Sequence, residues 1–285
     1  MSGKYNEYLQ KLRSNIEAEN FKGVLEMAEK MAEEQPDSYE AHFFKAVAMS
    51  RLISYENQVL ADVIKSVHTA YSVLNDEEKN NKREELVATI GSGFSLMIGV
   101  ILDVFGSRRP SEKIVSWATG SIKSMMEEFK KSLSPIGVND DTEYVYRLQN
   151  SVVKKVIGSV ANSWQNIVYK SYAKDTFIED EWKNPDYRPD EKTMITFAKE
   201  AIHLVSLLSF AESNINGTTS SELVYAIYNN KSVIAFEISD AKAYKPSGDG
   251  RYEVCGMPPE EIRDQYFAIS KKYHSIADEY KNSLT

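Results

Sequence analysis

Apolar residues recur at three- and four-residue spacing along most of the chain, the period of a helix that buries one face. From Lys4 to Ala18 the repeat is Tyr5, Leu9, Leu12 and Ile16, and Glu19-Asn20 breaks it. A second helix runs from Phe21 through Leu25, Ala28 and Ala32 to Gln35-Pro36-Asp37, where proline cannot continue the ladder. Ser38 is placed to cap a third helix, Tyr39 to Leu52, with Ala41, Phe44, Ala48 and Leu52 on its buried stripe. Residues 56–75 form an amphipathic helix through Val59, Leu60, Val63, Ile64, Val67, Tyr71 and Leu74. The polar run Asn75 to Glu85 is a loop or the fraying start of the next helix.

Val87 to Gly106 is the most apolar stretch and carries one charge, Asp103. Its length approaches the roughly 20 apolar residues of a membrane span. It also holds Gly91, Ser92, Gly93, Ser95 and Gly99, which suit close helix contacts in a core, and no other segment is expected to span with it. Ser111 caps the following helix, which buries Ile114, Trp117 or Ala118, Ile122, Met125, Phe129 and Leu133 before Pro135. A long helix follows Asp140-Asp141 to about Lys174, lined by Val145, Leu148, Val152, Val156, Val160 and Trp164. An acidic, aromatic loop over 175–192 is the expected division between an N-terminal helical domain, 1–174, and a C-terminal helical region, 175–285, with one continuous domain as the alternative. Pro189 with Asp190 and Glu191 opens a helix through Ile195, Ala198, Ile202, Val205 and Leu208, closed by Asn216-Gly217. Thr219 with Glu222 reads as a capping box. For 232–255 a helix followed by an irregular loop is expected, with a hairpin turning at Pro246 to Gly250 as the alternative. Pro258-Pro259-Glu260-Glu261 opens the last helix, striped by Ile262, Tyr266, Ile269, Tyr273, Ile276 and Tyr280. The expected fold class is all-α, an irregular helical bundle or α-solenoid.

The run Asn20-Phe21-Lys22, Glu26-Met27-Ala28, Lys30, Pro36-Asp37-Ser38, Glu40-Ala41-His42 and Lys45-Ala46 resembles the join between two tetratricopeptide repeats. Phe21 stands where that family opens the second helix of a repeat with an aromatic. Pro36 stands at its end, and Glu40-Ala41, His42 and Ala46 at the opening of the next helix. His42 replaces the family's Trp or Tyr, and Val24 and Met31 replace small residues. The resemblance covers about 35 residues, roughly one repeat period. It implies a stacked, tetratricopeptide-like helix-hairpin start to the domain 1–174 and a concave groove for a protein or peptide partner. The positions it carries over as partner-binding are Asn15, His42, Lys45 and Met49.

Charge is segregated within a net of −8. Residues 1–102 carry −5, residues 103–174 carry +4 and residues 175–285 carry −7. An acidic chain is a poor general nucleic-acid binder, so no nucleic acid is expected, whereas the basic middle suits an acidic partner or neutralises the rest of the fold. Few glycines and prolines, 13 and 8, argue against a β-sandwich. A single cysteine, Cys255, excludes an intrachain disulfide and suits a reducing, cytoplasmic setting. The charged N-terminal residues have no apolar core of a secretory signal.

The sequence shows little catalytic chemistry. His42, His68, His203 and His274 are too far apart for a helical metal pair, and no phosphate loop, zinc-protease or nucleophile-elbow motif occurs. Glu84-Glu85, Glu127-Glu128 and Glu260-Glu261 are adjacent and point apart on a helix. No cofactor or metal is expected. The functional expectation is a protein-interaction or scaffold role. The alternatives are a peripheral membrane protein using 87–106 with Arg108 and Arg109, and an enzyme whose site no motif reveals.

Overall fold

The structure, a computed structural model, describes residues 3–139, 141–168, 190–247 and 252–282. Among the described residues there are ten α-helices and one two-stranded sheet, so the chain is all-α apart from that hairpin. In chain order these are α1 Gly3–Glu17, α2 Phe21–Glu34, α3 Tyr39–Arg51, α4 Leu60–Ser72, α5 Asp76–Gly106, α6 Glu112–Leu133 and α7 Thr142–Val168. They continue with α8 Glu191–Glu212, α9 Ser221–Ser239, β1 Ala243–Pro246, β2 Tyr252–Gly256 and α10 Glu260–Asn282. The expected domain boundary at 174/175, the acidic loop and Pro189 lie outside the described residues. The chain groups into two compact units, 1–101 with 122–148 and 102–121 with 149–285, so α5, α6 and α7 each contribute to both.

Local signals start most of these helices. Asn20 accepts from the Gly23 amide, Ser38 from that of Ala41 and Asp190 from that of Thr193, each satisfying a helix-start donor that would otherwise lack a partner. The polar run after Leu74 is helical because Asn75 and Glu78 cap each other. The Glu78 amide donates to Asn75 Oδ1 and the Asn75 amide to Glu78 Oε2, both at 3.0 Å.

In the first unit α1 packs on α2, α2 on α3 and α3 on α4. Leu12, Val24, Ala28, Met31 and Ala41 are fully buried among them. Gly23 is required by a close approach, because a Cβ there would lie 2.4 Å from Asn15 Oδ1. Gly137, after a single 3₁₀ turn at Ser134–Ile136, has φ of 74°, and a Cβ would lie 2.7 Å from the Tyr71 hydroxyl. The apolar part of α5 is a core helix here. Ile90, Phe94 and Ile98 are fully buried, Phe94 meets Phe129 edge-on at 5.4 Å, and Gly93 lets the Leu60 side chain come close. Burying a side chain such as Phe94 contributes about 2–3 kcal/mol.

In the second unit α9 packs on α10 and on α8, and β1 lies against α8. Ser159 donates to the Leu102 carbonyl at 3.2 Å, tying α7 to the end of α5. On α7, Asn150 reaches Thr218 and Thr219, anchoring the loop between α8 and α9.

The structure corrects several expectations. The segment after α9 is not an irregular loop, because β1 and β2 pair antiparallel with Tyr244 opposite Val254. Ser220, not Thr219, caps α9; the Thr219 hydroxyl accepts from the Asn216 amide and shapes the turn before it. Helix α8 stops at Glu212, four residues short of Asn216-Gly217, and α4 occupies only 60–72 of the expected 56–75. On α6 Ala118 is buried and Trp117 is 42% exposed. The expectation that no second segment could cross a membrane fails, since α8 is, like α5, long and apolar enough by length and composition. About half of each apolar window, 50% in α5 and 56% in α8, is buried inside the protein.

Candidate functional site

The four positions carried over from the tetratricopeptide likeness lie on α1 and α3, and each is engaged within the first unit. Asn15 donates to the Lys11 carbonyl at 3.0 Å and accepts from Asn20 Nδ2 at 2.8 Å, which fixes the α1–α2 turn. His42 Nε2 meets the Pro36 carbonyl at 2.6 Å, Lys45 pairs with Glu29 at 3.0 Å, and Met49 is 5% exposed. No hydrogen bond or ion pair joins any two of the four.

A different region leaves its side chains unengaged. Helices α9 and α10 pack together, and their buried residues include Ile227, Lys231, Ile234 and Ile238 on α9 and Tyr266, Ser270 and Ala277 on α10. Part of this buried set is polar. Lys231 is 2% exposed, and its Nζ donates to Glu212 Oε2 at 2.5 Å and to the Tyr273 hydroxyl at 2.8 Å. The Tyr273 hydroxyl donates to the same carboxylate at 3.2 Å, and the ammonium also lies 4.0 Å from the Tyr273 ring centroid. Tyr228 stacks on Tyr273, and its phenol is pushed above the usual range by burial first and then by Glu212. Ser232 donates to the Ser270 carbonyl at 3.1 Å. This bonded trio joins α8 through Glu212, α9 through Lys231 and α10 through Tyr273.

Two aromatic residues of α9 and α10 face outward. Phe236 and Phe267 are 47% and 44% exposed, and they line an open pocket of about 250 Å³ with Ser239, Asp240, Arg263 and Asp264. Asp264 has no hydrogen bond or ion pair from its side chain. The Arg263 guanidinium reaches only the Met257 sulfur, at 3.2 Å, and its Nε is buried without a partner. Asp240 pairs with Lys242 at 3.0 Å, and the Lys271 ammonium covers one face of Phe267 at 4.3 Å. Val233, one turn before Phe236, and Met257 extend the apolar surface at 43% and 47% exposure. Exposed aromatic rings beside unpaired charges can hold an apolar side chain and orient it by its charged neighbours. Among the described residues no three His, Cys, Asp or Glu side chains gather as a metal site.

Comparison with protein-family models, curated proteins and solved structures finds no match to this chain.

No motif or spacing in the sequence marks Phe236 or Phe267 as a binding residue. One signal existed: Phe267 follows Tyr266, which lies on the α10 stripe, so on a helix it points about 100° away from the core face.

Proposed function

We propose that the chain is a protein-interaction module whose binding surface is the α9–α10 pocket. The observation that carries this reading is the grouping of two exposed phenylalanines with Arg263 and Asp264, which have no ion-pair partner among the described residues. Solvent-facing aromatics cost solubility, and neither the Asp264 carboxylate nor the Arg263 guanidinium, which reaches only the Met257 sulfur, contributes folding energy through an ion pair, so an external occupant gives all four a role. The chemistry fits an apolar side chain on a partner segment that also carries a cation for the Asp264 carboxylate. The stacked α1–α4 hairpins, with their tetratricopeptide likeness over 20–52, act in this reading as scaffold. The single thiol of Cys255 suits a cytoplasmic setting.

Peptide-display selection against the full chain tests the proposal. Enriched peptides are expected to share an apolar anchor near a Lys or Arg, and to lose binding at least tenfold to the Phe267→Glu protein. Enrichment that ignores Phe267→Glu but is abolished by His42→Glu with Lys45→Glu would move the site to α1–α3. Co-sedimentation with anionic vesicles through α5, Arg108 and Arg109 would favour the membrane alternative.

A further inference from the structure

We infer that the outer edge of β2 docks the β2 of a second copy of this chain. The two strands pair antiparallel about a two-fold axis at Val254 and join two hairpins into one four-stranded sheet, using contacts other than those of the α9–α10 pocket.

The backbone supplies the docking edge. The sheet has two strands, so β2 is paired on one side only. In an antiparallel ladder the N–H and C=O groups of successive residues turn alternately toward the partner and away from it, so about half of those on β2 face away from β1. None of them meets another backbone group among the described residues. An extended strand from another molecule can take them up. The edge of β1 is poorly suited to this. Its register slips between Ala243 and Tyr244, and it ends in Pro246, which has no N–H to donate. The strand β2, Tyr252–Gly256, has neither a proline nor a lysine, residues that commonly guard an unused edge. Its one charge, Glu253, is engaged by Lys245 of β1 at 3.1 Å.

The side chains name the occupant, because β2 is complementary to itself. Val254 is 49% exposed, and the exposed Glu253 and Cys255 stand on the other face of the strand. In an antiparallel pair centred on Val254, that valine lies opposite the second copy's Val254, and Glu253 lies opposite the second copy's Cys255. Both valines then bury apolar area against each other, and no like charges oppose. A pair centred on Glu253 would set two carboxylates face to face. One centred on Cys255 would leave each valine opposite a glycine. A two-fold contact requires such self-matching of one surface. The hairpin gains as well, since two strands alone are marginal in water and four are not. A five-residue strand buries little area, so the dimer exchanges with monomer, with a dissociation constant on the order of 0.1 mM.

Sedimentation equilibrium of the full chain, with charges exchanged at the centre, tests this. The parent's mass is expected to rise toward twice 32.3 kDa as concentration passes the dissociation constant. Val254→Lys and Val254→Glu, each with the parent's circular dichroism, set like charges opposite one another and should remain monomeric. Their equimolar mixture should dimerise at least as well as the parent, because lysine then faces glutamate. Phe267→Glu should dimerise as the parent does. A parent that stays monomeric at about ten times that constant overturns the inference. So does a charge variant that associates like the parent, a mixture that stays monomeric, or a dimer lost in Phe267→Glu. Peptides that bind a monomeric parent through Phe267 would remove the strand pairing and leave the pocket standing.

Discussion

The hairpins at the start of the chain and the α8–α10 region at its end use polar side chains in opposite ways. On α1–α3 the conspicuous polar residues serve the fold: Asn15 ties a turn, His42 holds the Pro36 carbonyl and Lys45 meets Glu29. On α9–α10 the strongest polar interaction is buried, at Lys231, and the outer face keeps an unpaired Asp264 beside Phe236 and Phe267. Likeness to a repeat family points to the first region, whereas unspent interaction capacity points to the second. The difference shows that a residue's position on a familiar hairpin does not make it available. Availability depends on what its neighbours in space already use.

The contrast can be broken by substitution. Lys231→Ala should have the largest effect, lowering unfolding free energy by about 3 kcal/mol or more in urea titration, because it takes the cation from Glu212, which keeps only the Tyr273 hydroxyl, and leaves a cavity. The double change Lys231→Met with Glu212→Gln should recover most of that loss. Leu12→Ala, at a fully buried position in the α1–α3 core, should cost about 3 kcal/mol by the same measurement. Asn15→Ala should cost about 1 kcal/mol, since it removes two hydrogen bonds at a turn; a change near zero would mean that the α1–α3 polar residues are free after all.

A pH test is subtler. Burial first, and then the hydrogen bond to Glu85, hold the Tyr39 phenol well above the usual range, and burial does the same for Tyr228 and Tyr266. A raised folded-state value favours the neutral phenol. Its contribution is therefore complete below the unfolded value of about 10 and declines as pH rises past it. Stability should fall above about pH 10, and Tyr39→Phe should flatten that fall more than Tyr228→Phe. Phe267→Glu should have the smallest effect on folding, within about 0.5 kcal/mol of the parent, although it is expected to remove the proposed binding at the pocket. A loss above about 2 kcal/mol would show that Phe267 belongs to the core.

The parts legible in the sequence are those set by near neighbours. Ser38 caps α3 because the amide it satisfies is three residues away, and the place of Tyr266 on the inner face of α10 follows from helical period, whereas the deeper Ser270 and Ala277 do not stand out as apolar. The β1–β2 hairpin was harder to read. Val233, Ile234, Phe236 and Ile238 have strand character, yet α9 absorbs them because Ile234 and Ile238 are buried on its inner face. The strands fall to the following residues, whose partners lie across a turn. The pocket was least legible, since it joins Phe236 to Phe267, 31 positions apart, through a helix pairing that buries Lys231. In sequence that lysine looks like any solvated charge. Trp117 and Ala118 were equal candidates for burial, and only three-dimensional packing decided between them.

The burial of Lys231 also makes it a clock. Surface amines meet an acylating reagent at once, but the Nζ of Lys231 is out of water and shared between a carboxylate and a phenol. It reacts only during moments when α9 parts from α8 and α10. Its rate of modification, read by mass spectrometry beside that of Lys113, therefore counts the openings of this three-helix group under native conditions, with no denaturant added.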